Sequence, residues 1–80
     1  MRYEAVEYEA GRRTVHATFN SRRRAEDFVA RLAASRGQWD LWITKRRVDG
    51  TYALCERACM GIVRATFYVS PLPEVRRLDF

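Results

Sequence analysis

Eighty residues, a formal net charge of +5 and 48% hydrophobic residues describe one small domain with a modest core, which oligomerisation would help to stabilise. No apolar run approaches the roughly 20 residues that a membrane span needs, and the strand-like Met1-Arg2-Tyr3-Glu4 carries no signal-peptide pattern, so a cytoplasmic protein without a membrane partner is expected. The charge is uneven: residues 1–11 sum to −2, residues 12–36 to +5 and the remaining 44 to +2, and fourteen arginines stand against the single lysine, Lys45.

The guanidinium fork suits phosphate and carboxylate recognition, so the arginine bias fits a nucleic-acid or acidic-protein partner. A GC-rich genome gives the same bias without any functional meaning. Cys55 and Cys59 would lie about 13 Å apart on one strand, too far to bridge. With His16 as the one further soft ligand there are too few groups for zinc. Two reduced, mostly buried thiols are expected, with no metal and no cofactor.

Residues 2–9 and 12–19 read as a β-hairpin around Ala10-Gly11, with Val6 opposite Val15 and Glu9 opposite Arg12. Strict alternation places Val15, Ala17 and Phe19 on one face and Thr14, His16 and Thr18 on the other. At Asn20-Ser21 the period changes. Ser21 is an N-cap candidate, and Ala25, Phe28, Val29, Leu32 and Ala33 form one apolar stripe. Gly37 is a natural stop, so the spacing predicts a helix over about residues 22–36.

Residues 39–48 read as a third strand, and Asp49-Gly50 as a hairpin turn into a strand from Thr51. The stretch 54–60 fits a helical turn as well as a strand. Ile62–Val69 alternates as a final strand, and Ser70-Pro71-Leu72-Pro73 marks the start of a tail. The expectation is an α+β fold, a small antiparallel sheet in the order β-β-α-β-β-β with one helix packed on one face. Residues 1–70 form the domain and 71–80 a C-terminal tail, expected to fold back. The helix stripe should meet Val15, Ala17, Phe19, Val63, Ala65 and Phe67.

The opposite face then collects Tyr3, Thr14, His16, Arg64, Thr66 and Tyr68, joined by Trp42, Arg46 and Arg57. A two-residue turn at Asp49-Gly50 sets Trp42 opposite Arg57, within cation–π reach. Aromatics interleaved with arginine stack bases and hold phosphates, and the same mixture marks protein interfaces. Arg22, Arg23 and Arg24 occupy the first helical turn, at the positive end of the dipole, which costs about 0.3–1 kcal/mol per charge at low salt. Such placement marks a binding candidate. Lys45-Arg46-Arg47 gives the second hairpin a basic tip, which also deters edge pairing. No nucleophile elbow, glycine-rich phosphate loop or paired-carboxylate pattern is present, so no catalytic residue is expected. Glu7 and Glu9 read as a solvated acidic strand and His16 as a polar surface histidine.

Two resemblances add to this reading. Arg12 to Leu32, with Phe19-Asn20-Ser21 ending a strand and Ala25-Glu26 and Phe28 on the following helix, resembles part of the arm-type DNA-binding domain of phage tyrosine integrases. That likeness covers about a quarter of the chain and implies a sheet laid in a DNA groove. The small sheet-plus-helix plan without a catalytic signature is similar in character to phage and mobile-element accessory proteins of the type I anti-CRISPR kind. A monomer or homodimer in the cytoplasm of a bacterial host is expected, and the likeness implies an inhibitor. It would bind a host protein or a CRISPR effector subunit and block access to target DNA. The expected partner-binding residues are Arg22, Arg23, Arg24, Trp42, Arg46, Arg57, Arg64 and Tyr68, with direct DNA or RNA binding as the alternative.

Overall fold

A computed structural model describes residues 1–46, 49–59 and 61–72. Its elements run β1 (Arg2–Glu9), β2 (Arg12–Phe19), α1 (Arg22–Arg36), β3 (Leu41–Lys45), β4 (Tyr52–Glu56) and β5 (Val63–Leu72). The strands form one antiparallel sheet in the order β2-β1-β5-β4-β3. The connection from β2 to β3 therefore joins the two edges of the sheet, and α1 crosses one face along that path. The fold is α+β, β-β-α-β-β-β, with one helix among the described residues.

Local chemistry explains most element boundaries. Ala10 and Gly11 both adopt positive φ, 51° and 78°, the tight turn whose twist suits a two-residue hairpin. Val6 faces Val15 and Glu9 faces Arg12, as the alternation predicts. The Ser21 side chain accepts a hydrogen bond from the Arg24 N–H at 3.4 Å and starts α1. The Gly37 N–H donates to Ala34 O and ends it, but in extended rather than left-handed backbone.

The core lies between α1 and one sheet face. Ala5, Leu54, Ala65 and Phe67 meet Val29 and Ala33 there, with Phe19, Phe28, Leu32 and Ile43 packed around them. Phe67 is fully buried, and the Phe19 and Phe28 rings lie 5.4 Å apart. Alanines at 5, 25, 33 and 65, all 3% exposed or less, let the helix lie close on the strands.

Several expectations need correction, and most trace to bulges. In the β1–β2 ladder Ala5 pairs with Ala17 but Val6 with Val15, so His16 is an extra residue. In the β4–β5 ladder Leu54 pairs with Ala65 but Cys55 with Val63, so Arg64 is extra. Beyond each bulge the faces exchange. Val15 and Val63 leave the helix side and are 39% and 51% exposed. Tyr3 and Thr14, in register with Phe19 and Glu7, fall on the helix side instead of the open one.

β3 starts at Leu41 rather than residue 39, and residues 54–56 belong to β4. Its register with β4 sets Trp42 opposite Cys55, not Arg57, because the turn spans Arg46 to Thr51 rather than two residues. Arg47 and Val48 lie outside the described residues. Ser70-Pro71-Leu72 does not end β5, since Pro71 and Leu72 pair with Tyr3 and Arg2. The expected course of residues 73–80 lies outside the described residues. Both cysteines are free, Cys55 buried but Cys59 exposed.

Candidate functional site: an exposed tryptophan–arginine end

The sequence-predicted residues do not gather into one site. Arg22, Arg23 and Arg24 are all exposed on the first turn of α1, but they diverge around it. Arg22 Nε donates to Glu26 Oε1 at 3.1 Å and borders a small cleft with Lys45, Asp49 and Tyr52. Arg24 borders a different recess, with Phe19, Asp27, Phe28 and Arg31. Arg46 sits at the β3–β4 turn, where its N–H donates to Thr51 O and its C=O accepts from Gly50 N–H. In the same turn the Thr51 N–H donates to Asp49 Oδ1 at 2.9 Å, which holds that carboxyl below the usual range.

Tyr68 lies in mid-sheet opposite Val6, on the face away from α1. Beside it, Arg13 donates to Glu4 Oε1 at 3.0 Å. Hydrogen bonds to Glu4 first and to Tyr68 next raise the Arg13 pKa above its ordinary value.

The remaining predicted residues meet at the opposite end from the helix start. The Arg57 N–H donates to Asp40 O at 2.9 Å, which pins the β4–β5 connection against the segment leading into β3. That bond brings the Arg57 guanidinium 4.6 Å from the centre of the Trp42 ring. Arg64, projecting from its bulge, donates to Glu56 Oε1 at 3.1 Å. Arg57, Arg64 and Glu56 then share a groove of about 570 Å³ with Trp39, Leu41 and Ala58.

Trp39 is the residue that sequence reasoning missed. It was expected inside β3. Instead Gln38 and Leu41 exchange backbone hydrogen bonds at 3.1 Å, which makes Trp39 and Asp40 the tip of a tight turn. A side chain at that tip has no neighbouring strand to cover it, and Trp39 is 82% exposed. Nearby Trp42 and Ile62 are each 46% exposed and Val63 is 51% exposed. The signal in the sequence was Gly37-Gln38 and Asp40 flanking the tryptophan, a turn composition rather than a strand one.

A second cluster also departs from expectation. Glu7 is not a solvated strand residue but is 7% exposed, beneath the end of α1. Its Oε1 accepts from Arg36 at 3.0 Å and lies 2.7 Å from His16 Nε2. The bulge at His16 and the last helical residue thus both serve to hold one buried carboxylate. The three side chains border a cleft of about 300 Å³ with Glu9, Arg12 and Thr14. Among the described residues no group of three or more His, Cys, Asp or Glu side chains is placed to hold a metal.

Together these features define an α+β domain that presents tryptophan, aliphatic and arginine side chains at one end. No protein-family model, no curated protein and no solved structure matches the chain. Among the described residues no helix is long and apolar enough to cross a membrane.

Proposed function

We propose that this protein is a non-enzymatic binding protein, a small inhibitor that covers part of a protein or of a protein–nucleic-acid complex. The observation that carries this reading is the 82% exposure of Trp39 beside exposed Trp42, Ile62 and Val63. Exposed tryptophan and aliphatic side chains among arginines are costly to leave in water and match the usual composition of an interface centre. Trp and Arg are also the residues on which binding energy concentrates. Arg57, already stacked on Trp42, is held ready for a partner with little ordering left to do.

The likeness to type I anti-CRISPR proteins gives the proposal its sharpest form. The partner would be a subunit of a CRISPR surveillance complex in the cytoplasm of a bacterial host, and occlusion would keep target DNA out. The test is binding of the purified protein to such a complex, with and without target DNA. Trp39→Ala and Arg57→Ala should each weaken binding by about 2 kcal/mol or more, as expected of interface centres, while far-UV circular dichroism stays unchanged. Full binding by both variants would overturn the assignment of this surface.

Direct nucleic-acid binding is the second reading, favoured by the Arg57–Trp42 stack and the net charge of +5. It predicts affinity for free duplex DNA or single-stranded RNA that falls steeply with salt. Binding to the complex with no affinity for free nucleic acid would leave the inhibitor reading in place.

A further inference from the structure

Among the described residues the sheet ends at β3, and the hydrogen bonds identify which backbone groups face outward there. The Arg46 N–H donates to Thr51 O at 2.8 Å, so Arg46 points its backbone toward β4. By alternation Trp42 and Thr44 do the same, while Leu41, Ile43 and Lys45 point away. Gln38 satisfies Leu41 through two 3.1 Å bonds. Ile43 and Lys45 have no backbone partner on that side among the described residues. Two N–H and two C=O groups, one strand repeat apart, are therefore presented to an incoming strand.

The other sheet edge is less suitable. β2 carries the His16 bulge, which interrupts the two-residue repeat that a docking strand needs. The β3 edge instead runs between two features that would select an occupant. At one end Lys45 is exposed on the helix side, its Nζ 5.5 Å from the centre of the Tyr52 ring, and it makes no ion pair among the described residues. At the other end the groove beside Trp39 and Leu41 is roomy enough for an apolar side chain.

We propose that an extended acidic segment of a partner protein adds to β3 as a sixth strand. It would pair with the backbone of Ile43 and Lys45, set its carboxylates against Lys45 on the helix side of the sheet, and place an apolar side chain in the groove beside Trp39. The inference rests on the protein-binding reading and names the chemistry of the partner. Main-chain bonds supply affinity in such strand addition, and the flanking pockets supply selectivity. A second copy of the chain fits less well. Satisfying the same four backbone groups would bring both Lys45 ammonium groups onto one face of the joined strands, where like charges repel.

The probe is a blocked ten-residue peptide of alternating Glu and Val, with the Lys/Val peptide as its control, and the readouts are calorimetry and amide hydrogen exchange. The Glu peptide should bind at least tenfold more tightly than the control. It should slow exchange at Ile43 and Lys45, while Trp42 and Thr44, already bonded to β4, change little. Lys45→Ala should weaken binding a fewfold. Lys45→Pro should weaken it about tenfold further, because proline removes an outward N–H and leaves the β3–β4 ladder intact.

If Lys45→Pro fails to fold, N-methylation of alternate peptide residues removes the donors that would reach the Ile43 and Lys45 C=O groups, the companion bonds of the same ladder, and should abolish binding to the wild-type protein. Equal binding by the alanine and proline variants, or by methylated and unmethylated peptide, would overturn the proposal. So would an absence of binding, or binding without protection of Ile43 and Lys45. Self-association that protects those two amides would assign the edge to a second copy and also overturn it. A complex that is bound equally by wild type and Lys45→Pro, yet lost in Trp39→Ala, would retain the inhibitor reading while removing strand addition.

Discussion

Glu7 shows how much one residue's meaning depends on its surroundings. A carboxylate 7% exposed is tolerable only because Arg36 and His16 both reach its Oε1. Glu7→Gln keeps the shape but loses the charge-assisted bonds, and should lower stability by about 1–3 kcal/mol in chemical denaturation. Ala10 carries the opposite lesson. It holds φ at 51° without a glycine's freedom, so Ala10→Asn should raise stability by about 0.5–1 kcal/mol with unchanged hairpin register. Asp49 gives a pH signature. Its folded-state pKa is depressed, so the support it gives the β3–β4 turn is present above its ordinary value of 3.8. That support is lost as pH falls through the lower folded value. The Thr51 amide resonance, followed through acid titration, should report that loss, and Asp49→Asn should remove the pH dependence.

At the scale of elements, the helix and the first hairpin were legible because their signals are local. Ser21, the stripe from Ala25 to Ala33, and Ala10-Gly11 each act through neighbours a few residues away. The bulges were not legible. His16 and Arg64 are ordinary strand residues by composition, and only the partner strand shows that each is one too many. Each misplaced a run of side chains, which is why Val15 and Val63 were expected against the helix and lie on the other face. Phe67, by contrast, sits on the helix side of its bulge as expected, and it is fully buried. Phe67→Ala should cost about 3–5 kcal/mol, measured by thermal or denaturant unfolding. Within α1, Arg23→Glu replaces a cation at the positive end of the dipole. It should raise stability by about 0.3–1 kcal/mol, an effect that fades with added salt. If that gain comes with weaker partner binding, the first-turn arginines belong to the interface after all.

For the whole molecule, the sequence by itself determined the element order, the single helix and the basic balance, because periodicity, capping and composition act locally or sum over the chain. It also singled out Trp42, Arg57 and Arg64 as candidates for a binding surface. What only the tertiary structure decided was which of the named residues meet. Sheet order puts β3 and β2 at opposite edges, and α1 holds the first-turn arginines at the far end from Arg57. The Arg57–Asp40 backbone bond joins two loops that are distant in the chain and builds the tryptophan end from both. Trp39 owes its exposure to the Gln38–Leu41 bridge, and Ile43 and Lys45 owe their outward backbone groups, unpaired among the described residues, to the place of β3 at the sheet edge. The Gln38–Leu41 bridge is local, but the sheet order and the Arg57–Asp40 bond depend on contacts between segments far apart in sequence, where the physical determinant is closure of the chain on itself rather than the preference of any one residue.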